Sequence, residues 1–127
     1  MTNFLLIGFS AALGAWLRWL IGVGFAGLFP GLPFGTLAVN LIGGLLMGIS
    51  IAFFQSLTNI SDEINLIINV GFLGGLTTFS AYTADIFALM QKGELYMAIL
   101  LIFAHIIGAL VLCYVGFYFT NLSLRSF

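Results

Sequence analysis

Four stretches of this chain, residues 4–29, 34–56, 64–90 and 95–119, hold between them only two charged side chains, Arg18 in the first and Asp85 in the third. A helix needs about 20 consecutive apolar residues to cross a hydrocarbon core, and each stretch is long enough. Lipid admits only helices and closed barrels, because every backbone polar group must be satisfied within the protein. A barrel strand would alternate apolar and polar residues over about 10 positions, whereas these runs are continuously apolar. The expected fold is all-α and integral to the membrane: a single four-helix transmembrane domain over residues 1–127, with no residues left for a soluble domain. Composition agrees. The chain is 62% apolar and 6% charged, where a soluble domain is about 45–50% apolar and about 25% charged.

Between the runs lie breaks of different kinds. Pro30-Gly31-Leu32-Pro33 interrupts the chain sharply. Leu57–Glu63 is polar and must reach water, Gln91-Lys92-Gly93-Glu94 is a short polar turn, and a tail carries Arg125. Met1-Thr2-Asn3 has no Lys or Arg, so the first run lacks the basic start of a cleaved signal and is read as a retained span. A net charge of −1 offers no electrostatic support for nucleic-acid binding. One His, one Cys and no paired intramembrane acids leave no catalytic set, so the chain is not expected to be an enzyme. Cys113 has no second cysteine to bond within the chain.

Orientation follows the distribution of Lys and Arg, and here the bias is weak. Four crossings put both termini and Leu57–Glu63 on one side, which holds Arg125. The other side holds Lys92 and, near the far end of the first helix, Arg18. A chain with so little bias is able to insert both ways. Two opposed copies would then pair about a two-fold axis in the membrane plane. The alternative is that a few charges, or an insertion factor, decide the direction.

The third run contains Val70-Gly71-Phe72-Leu73-Gly74-Gly75-Leu76-Thr77-Thr78-Phe79-Ser80. Glycine costs about 1 kcal/mol against alanine in a helix interior, and adjacent glycines invite a break. Such breaks are tolerated at membrane depth only where protein or water covers them, and in transporters they place free carbonyls at ion sites. A break near Gly74–Thr77 falls at the middle of the span. In an inverted pair, two carbonyls from each copy would offer oxygens suited to a hard cation such as Na⁺. The competing reading is that the glycines permit close helix packing. That packing reading is preferred for Gly44-x-x-x-Gly48 in the second run, and the break for Gly74-Gly75.

Gly74-Gly75-Leu76-Thr77-Thr78-Phe79-Ser80, together with Gly35-Thr36-Leu37-Ala38-Val39-Asn40 and Gly14-Ala15-Trp16-Leu17-Arg18-Trp19, resembles the small bacterial fluoride channel family (Fluc, also called CrcB). The resemblance covers essentially the whole chain. It implies a multi-pass protein of the bacterial inner membrane that assembles as an antiparallel, dual-topology homodimer. It implies two narrow pores that passively export fluoride and so lower its toxicity. It also implies one structural Na⁺ at the dimer centre, held by the backbone carbonyls of Gly74 and Thr77 from both subunits.

Fluoride holds water tightly, so a pore must replace that water with hydrogen-bond donors in a narrow space. The Asn40 amide offers two donors. By itself it reads as an interhelical hydrogen bond, and within the motif as a pore residue. Phe79 and Tyr82 are three apart on one helix face, and aromatic ring edges carry partial positive charge against which an anion can lie. The resembling family has Phe at both positions, so Tyr82 is a departure. The hydroxyls of Thr78 and Ser80 either line the path or bond back to their own helix. Arg18 either draws anions into a vestibule or snorkels to the interface beside Trp16 and Trp19. Asp85 would repel an anion and is expected to face Thr36 or another donor. On the fourth run, where the family carries hydroxyls, this chain has His105, which either substitutes for them in part or simply packs.

Two other function classes compete. A small proton-coupled multidrug exporter of similar size would need an acid in its first span, and this one has Arg18 instead. A non-transporting membrane subunit would not call for mid-span Gly-Gly, Thr-Thr and Asn40.

Overall fold

The computed structural model describes residues 1–57 and 61–126. Thr58 and Asn59 of the expected polar loop lie outside the described residues. The elements in order are α1 (Thr2–Leu28), α2 (Phe34–Ser56), a short α3 (Asp62–Asn65), a π-helical segment (Leu66–Leu73), α4 (Gly74–Leu76), α5 (Phe79–Gln91) and α6 (Leu95–Arg125). Together they make four crossings, Thr2–Leu28, Phe34–Ser56, Asp62–Gln91 and Leu95–Arg125. Each starts within two residues of its expected beginning. The last runs further than its expected end at 119. Its 31 residues rise about 46 Å at 1.5 Å each, well beyond a hydrocarbon core of about 30 Å.

The turns follow from local chemistry. Gly31, at φ +82°, takes the left-handed conformation that side chains avoid, between Pro30 and Pro33. Phe29 and Phe34 then meet edge to face across the bend, ring centroids 5.3 Å apart. At the other tight connection Gly93, at φ +77°, ends α5. Its N–H donates to the Met90 carbonyl, and the Glu94 N–H donates to the Leu89 carbonyl. This is the paired bonding that closes a helix on glycine.

Close packing is concentrated in two seams. Along α2 and α6, Gly44 lies against the Ala109 backbone and Gly48 against that of Cys113, so a side chain at either would collide with main chain. The small-residue packing reading of Gly44-x-x-x-Gly48 therefore holds. Along α1 and the third crossing, Gly14 meets the backbone of Phe72, Gly75 and Leu76; Gly75 meets Ala11; and Gly71 accommodates Ser10. A smaller apolar cluster of Ile86, Leu89, Ala98 and Leu101 joins α5 to α6. The outer surface is strongly apolar, including Phe4, Trp19, Leu110 and Phe119, each more than half exposed. Lipid is the medium such a surface requires.

The third crossing is broken, at the C-terminal edge of the expected stretch. Gly74 and Gly75 are helical, whereas Thr77 (φ −78°, ψ 158°) and Thr78 (φ −150°, ψ 121°) are extended. The break thus belongs to the two threonines, and Gly75 serves close approach to α1. The break expected within Gly74–Thr77 is found at its Thr77 end, and the break preferred for Gly74-Gly75 itself is corrected: both glycines stay helical, with Gly75 packed against the Ala11 backbone.

Candidate functional site

Two extended residues inside a membrane helix release backbone groups that lipid cannot satisfy. The surrounding helices supply the partners. Asn40 on α2 takes Thr78 from both sides: the Thr78 N–H donates to Asn40 Oδ1 at 2.8 Å, and Asn40 Nδ2 donates to the Thr78 carbonyl at 2.9 Å. The amide thereby imitates a strand neighbour, leaving its second N–H donor uncommitted. Gly43, one turn further along α2, is the gap into which the Thr77 methyl fits.

Each helix end at the break is also closed locally. On the N-terminal side, the Thr77 N–H and hydroxyl both donate to the Leu73 carbonyl, at 3.0 and 2.9 Å. On the C-terminal side, the Thr78 hydroxyl accepts from the Ala81 N–H at 3.1 Å, capping α5. The expected alternative for Thr78, bonding back to its own helix, is the geometry found. Ser80 is exposed, and its hydroxyl lies 3.3 Å from that of Thr78.

The break sets two opposite helix ends close together. Carbonyls gather at the end of α4, where a helix carries partial negative charge, and amides at the start of α5, where it carries partial positive charge. Arg18 answers the first, donating from Nη1 to the Thr77 carbonyl at 3.2 Å. The Gly74 carbonyl loses its helical partner, because the Thr78 N–H has turned to Asn40. Of these two backbone oxygens the Thr77 carbonyl is thus taken by a guanidinium, and the Gly74 carbonyl is the one released.

A cavity of about 280 Å³ opens beside the break, lined by Asn40, Thr77, Thr78, Phe79, Tyr82 and His105. The Phe79 ring is 78% exposed in the single chain and lies 5.4 Å from that of Tyr82. Tyr82 in turn lies 4.5 Å from the His105 ring. His105 is buried, with Nδ1 2.9 Å from the Leu101 carbonyl and Nε2 without a hydrogen-bond partner among the described residues.

Five expected residues from three crossings therefore meet in one place: Asn40, Thr78, Phe79, Tyr82 and His105. Arg18 reaches the break from α1. Asp85 and Thr36 do not join the cavity. Asp85 lines a separate space of about 260 Å³ together with Phe29, Pro33 and Lys92. Its Oδ2 is buried with no hydrogen-bond partner among the described residues, so the expected Thr36 donor does not reach that oxygen.

Sequence reading missed one polar chain. Ser50 donates to Asn69 Oδ1, and Asn69 Nδ2 donates to Asn65 Oδ1, each at 2.6 Å, tying α2 to the π-helical segment. Asn65 and Asn69 stand four apart, which was the available signal, since polar side chains in membrane helices bond to one another.

The profile of the family described as "CrcB-like protein, Camphor Resistance (CrcB)" matches residues 5–117. A protein of Tolumonas auensis named fluoride-specific ion channel FluC is 46% identical over 124 residues, covering 98% of each chain. One of the same name from Aromatoleum aromaticum is 46% identical over 114 residues, 90% of this chain and 87% of the relative. Another, from Pseudomonas putida, is 43% identical over 124 residues, 95% of this chain and 98% of the relative.

Proposed function

The chain belongs to the CrcB family, and on that premise we propose that it is a fluoride-selective channel through which fluoride leaves the cytoplasm passively, lowering its toxicity. It is a multi-pass membrane protein, and the bacterial inner membrane is the proposed location. The observation that carries the reading is the cavity at the break, where the Asn40 amide, the Thr78 hydroxyl and the Phe79 and Tyr82 rings converge. Fluoride entering such a space would exchange water for the free Asn40 N–H, for the Thr78 hydroxyl, and for the positive edges of the two rings, with Ser80 as a further donor outside the cavity lining. The amide end of α5 adds a partial positive charge. Larger, more diffuse anions would gain less from so few donors.

The functional unit in this proposal is an antiparallel, dual-topology homodimer. Two features support it: the near balance of Lys92 against Arg125 across the membrane, and the wide exposure of Phe79 at the middle of the third crossing. A structural Na⁺ would be held by the Gly74 and Thr77 carbonyls of both copies. The release of the Gly74 carbonyl suits that role, and Arg18 would have to leave the Thr77 carbonyl to the ion. Such an ion would tie the two broken crossings together without itself moving.

The test is efflux from vesicles loaded with potassium fluoride and potassium chloride and carrying the purified protein. Release of fluoride with chloride retained is the expected result. Release of both ions, or proton flux driven by cationic drugs without fluoride release, overturns the reading.

A further inference from the structure

We infer that the Arg18 guanidinium is the resident cation of the break and is exchanged for the metal ion: when Na⁺ seats on the Thr77 carbonyl, Arg18 leaves it. The inference rests on the structural-ion reading above and says what that ion displaces.

The Thr77 carbonyl is an oxygen without its helical partner. In a continuous helix it would accept from the Ala81 N–H, four residues on, but that N–H donates to the Thr78 hydroxyl instead. Arg18 takes the vacated place, donating from Nη1 at 3.2 Å. A guanidinium has five N–H donors, and this is the one hydrogen bond found for them among the described residues. Charge-assisted N–H···O bonds ordinarily close to about 2.7–2.9 Å, so the bond is loose. An arginine inside a span is costly and normally pairs firmly. Here it is held by one long bond, to an oxygen that a hard metal ion would also use.

Guanidinium and ion are alternatives at that oxygen. A carbonyl has two lone pairs, so the contest is one of charge and not of space. In an inverted pair, two Arg18 side chains and the ion would crowd one set of Gly74 and Thr77 carbonyls. The cavity beside the break is lined by no acid among the described residues, and Asp85 lines the other cavity, so no carboxylate there offsets the repulsion. Like charges a few ångströms apart and away from water repel strongly. An ion held by two carbonyls from each copy outcompetes a guanidinium held by one.

Arg18 also has somewhere to go. Gly22 lies one turn further along the same face of α1, and a Cβ there would meet nothing within 4 Å. Trp16 and Trp19, each more than half exposed, flank Arg18. A long basic side chain in such a place lays its stem along the helix and carries its head to the interface. The seating of the ion and the placing of this charge thus become one event.

The experiment titrates the purified protein in detergent with sodium chloride against choline chloride at constant total salt, which holds screening fixed. Thermal unfolding gives the Na⁺ concentration for half-maximal stabilisation. Trp16 and Trp19 are the two tryptophans of the chain, so their emission reports movement at Arg18. In the unaltered protein, stabilisation and the change in emission should follow the same Na⁺ curve. Arg18→Gln removes the competing charge but keeps an amide donor, and its half-maximal Na⁺ should fall about tenfold or more. Arg18→Lys keeps the charge and should stay within about threefold of the unaltered protein. If Arg18 only braces the break, Arg18→Gln loosens the site, and its half-maximal Na⁺ is unchanged or raised. That result overturns the exchange and leaves the ion reading intact. So does tryptophan emission that stays flat while Na⁺ stabilises the unaltered protein, an outcome that needs no variant to fold. Absence of any Na⁺-specific stabilisation of the unaltered protein overturns the ion reading, and this inference with it.

Discussion

Before the break, the third crossing meets α1 backbone to backbone: Gly71, Gly75 and Gly14 bring main chains into direct contact. After the break, α5 meets α6 through side chains, with Ile86 and Leu89 against Ala98 and Leu101. The first kind of contact leaves no space and tolerates no added atom. The second leaves the cavity between Asn40, Tyr82 and His105. One crossing thus joins an anchored half to a half that stands off its neighbours, with Thr77 and Thr78 as the joint. The comparison shows how a chain this small makes room for a polar site: it packs one side of the break to the limit, so that the other side need not be.

The largest expected effect attacks the anchored half. Gly75→Leu would drive a side chain into the Ala11 backbone, where neither partner can yield. Overpacking typically costs about 1–3 kcal/mol and more where main chain is met, so the protein should fail to elute as a single species in detergent. Its counterpart on the far side, Ile86→Val, should cost only about 0.5–1.5 kcal/mol in thermal unfolding. Equal losses at the two positions would erase the distinction between the halves.

Next comes the joint. In Asn40→Asp, a carboxylate replaces the Nδ2 donor that holds the Thr78 carbonyl and sets a negative charge in the cavity. Fluoride efflux should fall by about a hundredfold or more, as an unpaired charge facing an anion costs several kcal/mol, while the protein still assembles. Unchanged efflux would remove Asn40 from the pathway. Thr78→Ala removes the cap of α5 and should cost about 1 kcal/mol of stability, with Thr78→Ser recovering most of it. The mildest change is Tyr82→Phe. It keeps the ring beside Phe79 and His105, so efflux should change by no more than about threefold, since the ring edge and its partial positive charge remain. A large loss would assign the Tyr82 hydroxyl a role of its own.

Much of this was legible in the linear pattern. The four crossings follow from apolar run length, and the two sharp turns from Pro30-Gly31-Leu32-Pro33 and Gly93. Gly74-Gly75 marked the break to within a few residues. Its cause was less visible, because Gly74-Gly75 and Thr77-Thr78 sit side by side and either pair disrupts a helix. Only the neighbour decides: with the Ala11 backbone packed against Gly75, that glycine stays helical, and with Asn40 offering both a donor and an acceptor, Thr78 extends. Asp85 illustrates the opposite limit. Its charge in an apolar run called for a donor such as Thr36, but the turn between α1 and α2 set which side chains surround it.

The sequence by itself determined that this chain must live in lipid as four helices, because hydrophobicity and backbone satisfaction are summed along the chain and need no partner. It also marked Asn40, Thr78, Phe79 and Tyr82 as the residues worth following. The tertiary structure alone decided that they meet, that the Arg18 guanidinium answers the Thr77 carbonyl, and that His105 packs against Tyr82 beside them. Those outcomes depend on directional hydrogen bonds between helices far apart in sequence. Such bonds are set by how closely backbones approach, and that depends on the glycines of two different crossings at once.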